Sequence, residues 1–224
     1  HMTKGKITKK LLSNLNIPTL EITSKTSMIK ISKFIDKSTN QEKPVAILVK
    51  NGVLEKEKKI STKNNHNISR SNFILHLLKI LRTNDRVIST TGYTSREVNQ
   101  LRNQNKLYKG KDFYMVGGMG HSASVALGCS LNVKNKIICL DGDGSSLMHL
   151  GSIFTAANFG KKNYKYILLN NQAHQSVGGN RTYSEQINFK NLSLSLGFKN
   201  YFKIDNKKDL KKIINKFYKS NGPD

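Results

Sequence analysis

Two apolar runs, IICLDGDGS and YILLNNQAH, each end in a polar residue suited to holding a metal, and this pairing constrains the fold more than any other feature of the 224 residues. Asp143 closes the first run and Asn171 the second, 28 positions later. A stretch of that length holds one helix and its connections. Two parallel strands joined by such a helix bring both ends to the carboxyl edge of one sheet, where open α/β sheets bind ligands.

The rest of the chain extends the alternation. Apolar rhythm predicts helices over 7–16 and 26–37, a short strand at 19–22, and a buried parallel strand in PVAILVK at 44–50. The segment NGVLEKEKKISTKNNHN then reads as a linker. Beyond it the pattern predicts a helix at 69–81, a strand at 86–90, a helix from about Thr94, and the strand FYMV ending at Val116. A helix at 122–131, a strand at 136–140, a helix at 145–159 and a strand at 164–169 follow. A helix at 189–196, a strand at 200–204 and a helix at 209–218 close the series. Strict alternation predicts an α/β fold with a doubly wound parallel sheet and helices on both faces. It also divides the chain into residues 1–60 and a main domain over 61–224.

Composition bounds the function less sharply. A hydrophobic content of 37% supports an ordinary core, and the longest apolar runs are strand-sized, which argues against a membrane-spanning chain. The formal charge of +24 invites a nucleic-acid reading. Scattered lysines without arginine clusters among aromatics argue against it, and the charge instead steers anionic ligands. Cys129 and Cys139 form no CxxC pair and read as reduced core residues; with no secretory signal, the expectation is a cytoplasmic protein. The His-Met start reads as a processed, tagged or truncated end and carries no argument.

Oxygen ligands with one carboxylate are what Mg²⁺ takes when phosphate and water complete its shell. Gly142 and Gly144 allow close backbone approach to a phosphate, and Ser145 is placed near a helix start whose amides favour anions. A tight turn after a buried strand is the plainer account of a lone GDG. A rival motif, GMGHSA at 118–123, fits the dinucleotide pattern GxGxx(G/A), with Asp141 lying 21 positions beyond Gly120 where a ribose-binding carboxylate belongs. Its depth in the chain, the DGDGS context of Asp141 and the idle Asn170 and Asn171 weigh against it.

The sequence GDG followed at this distance by NN resembles the motif of thiamine diphosphate enzymes. TTGYTSRE, MGHSAS, GDGSSLMHLG and NNQAHQSVGG together resemble the phosphonopyruvate and sulfopyruvate decarboxylase group. The resemblance implies metal ligation by Asp143, Asn171 and the carbonyl of Ala173, with Mg²⁺ bridging to the diphosphate. It implies that Thr91 and Gly92 contact the diphosphate, that the Gly117 carbonyl meets the aminopyrimidine, and that Met119 wedges between the rings. His121 and His174 are the candidates for proton transfer, and Ser122, Ser176 and Arg181 for contacts to substrate. His66, His76 and His149 read as structural or solvent-facing. The implied reaction is decarboxylation of a 3-substituted 2-oxoacid, phosphonopyruvate to phosphonoacetaldehyde first. Sulfopyruvate decarboxylation and an acetolactate synthase-like carboligation are the alternatives. Tyr93, Gly118 and the NRT at 180–182 depart from that group's pattern. PVAILVKNG resembles the last strand of that group's pyrimidine-binding domain, so residues 1–60 read as the C-terminal part of such a domain plus a linker. The glutamate that activates the cofactor in this family matches no acidic residue here. The resemblance therefore implies a homo-oligomer, or a hetero-oligomer with a chain carrying that domain, and a fragment inactive on its own.

Overall fold

The computed structural model describes residues 2–55, 67–107 and 111–224, so His66 and most of the expected linker lie outside the described residues. The chain divides into two compact units, His1–Ser61 and Thr62–Asp224.

The first unit holds α1 (Met2–Asn14), β1 (Thr19–Ile22), α2 (Met28–Thr39) and β2 (Ala46–Val49). β1 and β2 pair in parallel with Thr19 opposite Ala46. Ser27 caps α2 by accepting from the Lys30 amide, satisfying one of the donors a helix start leaves open. Among the described residues of this unit Ile22 is the buried hydrophobic, whereas Leu11, Leu15, Met28, Ile29 and Leu54 are exposed. A two-stranded sheet with so little core is marginal by itself.

The second unit contains α3 (Arg70–Ile80), β3 (Arg86–Ser89), α4 (Tyr93–Gln104), β4 (Phe113–Tyr114), α5 (Ser122–Asn132), β5 (Ile137–Gly142), α6 (Asp143–Met148), α7 (Leu150–Phe159), β6 (Tyr164–Leu169), α8 (Phe189–Leu196) and α9 (Leu210–Lys219). The strands form one parallel sheet in the order β4-β3-β5-β6. Alternate residues of each strand face opposite sides. Val87, Ile138 and Leu140 pack with Ile74, Leu77, Leu78, Val98, Leu210 and Ile214 of α3, α4 and α9 on one face. Ile88, Ile137 and Cys139 pack with Ala123, Ala126, Ile153 and Ala156 of α5 and α7 on the other. Each fully buried Ile or Leu contributes about 1.5–3 kcal/mol relative to exposure, which makes this two-faced layer the mechanical base of the site. The doubly wound expectation is therefore met.

Three local expectations are corrected. The helix expected over 145–159 begins at Asp143 and is broken at His149, whose backbone (φ −142°, ψ 56°) leaves the helical region between α6 and α7. FYMV pairs as a strand over two residues, with one further rung from the Met115 amide to the Ser89 carbonyl, before Gly117 and Gly118 turn to positive φ. Residues 200–204 form no strand. The edge of β6 is taken instead by the end of the chain: the Gly222 amide donates to Lys162, the Tyr166 amide to Asp224 and the Lys199 amide to Pro223.

Candidate functional site

The order β4-β3-β5-β6 puts a topological switch between β3 and β5, because the chain leaves β3 toward β4 and returns on the far side to β5. A crevice opens at such a point beyond the carboxyl ends of the strands. Its walls are the turn after β3 (90–92), the turn after β4 (115–121), α6 after β5, and the loop after β6.

Side chains stitch these walls together. Thr90 Oγ1 and Ser145 Oγ are 2.9 Å apart, the Gly120 amide donates to Ser145 Oγ at 2.9 Å, and the Gly117 amide donates to Thr91 Oγ1 at 3.3 Å. Ser145 thus ties three turns together through one hydroxyl. Gly92 (φ +97°) holds a backbone that other residues rarely adopt, and a Cβ there would crowd Ser176, standing 3.0 Å from its Oγ. A Cβ on Gly144 would come within 2.3 Å of the His174 ring, so the loop after β6 lies directly on α6.

That loop is closed as a small hairpin. Ala173 and Arg181 form an antiparallel bridge, the Thr182 amide donates to Gln172 and the His174 amide to Asn180. The hairpin carries Ala173 and Thr182 onto Asp143, which is 2% exposed. Thr182 Oγ1 and Ser184 Oγ both donate to Asp143 Oδ2, the latter at 2.9 Å, and Ser184 also lies 2.8 Å from Asn170 Oδ1. Oδ1 of Asp143 faces Asn171. The end of the Asn171 side chain lies 3.1 Å from that oxygen and 2.9 Å from the Ala173 carbonyl oxygen. With its nitrogen there, the amide donates to both. Turned over, the Asn171 oxygen stands at these same distances from the other two, close to the spacing of adjacent corners of a Mg²⁺ octahedron, about 2.9–3.0 Å for bonds of about 2.0–2.1 Å. The donor set therefore fits a hard divalent cation. Among the described residues no group of three or more His, Cys, Asp or Glu offers an alternative metal site.

Other expected residues fall into place unevenly. Gly117 is exposed at φ +84° with open space about it, and Met119 is half-buried on the same turn. His121 is exposed, and its ring lies against His149, with centroids 4.3 Å apart and planes inclined at 37°. His149 is exposed, in keeping with its reading as structural or solvent-facing, and its contact with His121 also puts it on the rim of the crevice. Ser122 is fully buried, its hydroxyl against the Cys139 thiol, and is out of a substrate's reach. Arg181 is paired with Glu185 and lies 5.1 Å from the Tyr183 ring, so its guanidinium is already engaged. Asp141 is fully buried, accepting from Tyr166 Oη at 3.1 Å and from the Gly142 amide at 2.9 Å. A carboxylate so enclosed cannot meet a ribose, which removes the dinucleotide alternative. Burial, reinforced by the Asp141 charge, pushes the Tyr166 phenol well above its ordinary range and keeps it a donor. Burial likewise pushes the Cys139 thiol up, leaving it inert.

Residues 90–224 match the family model of the thiamine pyrophosphate enzyme C-terminal TPP binding domain. The chain belongs to this family. Over 113 residues the domain is 40% identical to a phosphonopyruvate decarboxylase of Streptomyces hygroscopicus, covering 50% of the chain and 27% of that protein. Over 98 residues it is 37% identical to the sulfopyruvate decarboxylase subunit beta of Methanocaldococcus jannaschii, covering 44% of the chain and 50% of the relative. The chain thus spans half or less of the length of these relatives. A protein described as a thiamin diphosphate-dependent enzyme of Mycobacterium smegmatis shares the fold, with a TM-score of 0.55 at 16% identity over 69% of this chain and 30% of that one. Among the described residues no helix is long and apolar enough to cross a membrane.

Thr90, Thr182, Ser184 and His149 are the site residues that sequence reasoning missed. Thr182 and Ser184 lie in a polar stretch that offers no periodicity; only the hairpin brings them to Asp143. A hydroxyl residue adjoining the Thr91-Gly92 motif was the one signal available for Thr90.

Proposed function

We propose that the domain holds the diphosphate and metal of thiamine diphosphate in a decarboxylase acting on a 2-oxoacid with an acidic substituent at C3, phosphonopyruvate or sulfopyruvate. The convergence of Asp143, Asn171 and the Ala173 carbonyl beyond the carboxyl ends of β5 and β6, beside the sheet's switch point, carries this reading. Relatives named for both reactions support the two substrates equally.

In this reading Asp143, Asn171 and Ala173 hold Mg²⁺. Thr91, Gly92, Gly142, Gly144 and Ser145 lie about the diphosphate, where glycine backbone permits close approach. The Gly117 carbonyl accepts a hydrogen bond from the aminopyrimidine, and Met119 supports the rings. When bound, the cofactor supplies the electron sink for the pair released with CO₂. The overall change, 2-oxoacid anion plus proton to aldehyde plus CO₂, requires one proton at the former carbonyl carbon. His121 and His174, both on turns lining the crevice, are the side chains that hold it. Ser176, exposed on the loop over Gly92, faces the solvent side of the crevice and is kept as the substrate contact.

Residues 1–60 are read as the end of a pyrimidine-binding-type domain; the parallel β1–β2 pair and its exposed apolar residues are consistent with part of a larger sheet. The activating glutamate then comes from a missing domain or a partner chain, in keeping with relatives named as beta subunits. Calorimetric titration of thiamine diphosphate with Mg²⁺, repeated with chelator, tests the site. Magnesium-dependent binding is expected, and Asp143→Ala should abolish it. Binding indifferent to chelator, or retained by Asp143→Ala, refutes the metal assignment. Decarboxylation by the chain with no other subunit present refutes the need for a partner.

A further inference from the structure

The break at His149 has a consistent construction. Between two helices that would otherwise run on, its amide still donates to the Ser146 carbonyl at 3.3 Å, and its carbonyl accepts from the Ser152 amide at 3.0 Å and Ser152 Oγ at 2.8 Å. The interruption therefore leaves no backbone group of His149 unpaired. What it changes is the direction of the ring. The imidazole lies over Gly120, where an added Cβ would stand 2.4 Å from its Cδ2, and stacks on His121. Gly120 in turn has φ +88° and is buried. Three features thus serve one contact: a helix interruption, a glycine with no room for a side chain, and two rings 4.3 Å apart.

We propose that His149 is a positioning residue for His121. His121 stands on an exposed turn, where a Cβ built on Gly118 would lie 3.8 Å from His121 Cδ2. An imidazole so placed has several rotamers open to it, and His149 selects one by covering a face of the ring. The Gly120–Ser145–Thr90 linkage fixes the turn relative to α6, so the orientation of His121 is referred to the element that carries Asp143. Proton transfer depends steeply on such placement, with misplacement near 1 Å costing on the order of 10²-fold. This assignment rests on the reading of His121 as a proton carrier in the proposed decarboxylase.

The test uses the ligand-free chain with ¹³C-labelled histidine rings, and reads the Cδ2–Hδ2 signal of His121. His149→Phe keeps a stacked ring and should leave the signal in a shielded position. His149→Ala should release it to the position of an exposed imidazole, and His149→Asn, which suits the same non-helical backbone, is the second variant. The His76 signal, from a ring bonded to the Asn72 carbonyl on α3, monitors the fold. An unmoved His121 signal in both His149→Ala and His149→Asn overturns the proposal. In the enzyme assembled with its glutamate-bearing partner, His149→Ala should lower kcat on the order of tenfold at unchanged KM. That lies below the roughly 10²–10⁴-fold lost when an acid-base group itself is removed. His149→Phe should restore kcat, and an unchanged kcat in His149→Ala also overturns the proposal. A parent chain that binds no thiamine diphosphate refutes the proposed function while leaving the ring pairing to be read in the spectrum.

Discussion

Replacing Thr182 by valine tests the site where its geometry is most specific. The two oxygens of Asp143 have separate surroundings: Oδ2 is anchored by the hydroxyls of Thr182 and Ser184, while Oδ1 faces Asn171 and the proposed metal position. Thr182→Val keeps the side chain's volume and removes one of the two anchors. Asp143 is buried, so the lost hydrogen bond to a charged acceptor should cost about 1.5–3 kcal/mol of stability. At a urea slope of about 2 kcal/mol per molar, that lowers the unfolding midpoint by about 1 M. Removing a group that orients a metal ligand weakens metal binding by about 10–100-fold, equivalent to about 1.4–2.7 kcal/mol. Calorimetry with Mg²⁺ and thiamine diphosphate, beside urea unfolding, reads both effects. Asp143→Ala and Thr182→Val should be non-additive, with a coupling of at least about 0.5 kcal/mol, because the hydroxyl acts through the carboxylate. A variant that binds within twofold of the parent and unfolds at the same urea concentration would show that Thr182 does not orient Asp143, and the division of labour between the two oxygens would fall.

Three further outcomes are expected of the same domain. Lys165 and Asp224 form an ion pair with both side chains fully buried, and Lys165 Nζ also donates to the Ser220 carbonyl at 3.0 Å. Lys165→Met leaves the carboxylate unpaired and should cost about 3–5 kcal/mol in urea unfolding, with part recovered in Lys165→Met/Asp224→Asn; a loss below about 1 kcal/mol contradicts the burial. Burial alone would raise the Asp224 carboxyl, but hydrogen bonds from Lys165, Ser220 and Asn200 outweigh it and hold the group below its ordinary value of 3.8. A carboxyl depressed in the folded state adds stability above its unfolded pKa and loses it as pH falls through the folded one. The parent's urea midpoint should therefore drop below pH 4, and the Asp224→Asn profile should be flatter there; parallel profiles refute the linkage. Gly144→Ala forces its Cβ against the His174 ring, which must swing away; the His174 ring signal should shift and Mg²⁺-dependent cofactor binding should weaken severalfold, whereas an unchanged His174 signal places the loop elsewhere.

The parts of the fold legible in the sequence are those whose residues are decided by burial. Ile137, Ile138, Cys139 and Leu140 are buried on both faces of the sheet and read as an unbroken apolar run, so β5 and the Asp143 just beyond it are legible together. Asn171 followed from the same logic on β6. Elements decided by tertiary competition were not visible. YFKI at 201–204 has a strand's composition, yet residues 222–224 hold the β6 edge, and an edge can accept one neighbour. LMHLGSIF has a continuous helical pattern; the break falls at His149, whose ring meets His121 and Gly120 some 30 positions upstream, a contact no local pattern announces.

The same distinction governs the site. A metal ligand at a strand end inherits its position from the sheet register: Asp141 opposite Leu168 and Gly142 opposite Leu169 place Asp143 and the Asn170–Asn171 pair side by side at one edge. A sequence that specifies the register therefore specifies the proposed metal position. The orienting shell has no such inheritance. Thr182 and Ser184 reach Asp143 only because Ala173 bridges Arg181, and that bridge depends on the turn at Gly178 and Gly179, both at positive φ. Lengthening the turn by one residue would shift the register of the returning strand and turn Thr182 to the opposite side, leaving Asp143, Asn171 and the Ala173 carbonyl in place with the carboxylate less firmly oriented. Insertion of a glycine between Gly178 and Gly179 should thus weaken Mg²⁺-dependent cofactor binding by about the factor predicted for Thr182→Val, 10–100-fold, and adding Thr182→Val to the insertion should weaken it no further. A further loss in the combined variant would mean that the hydroxyl reaches Asp143 by a route other than this hairpin.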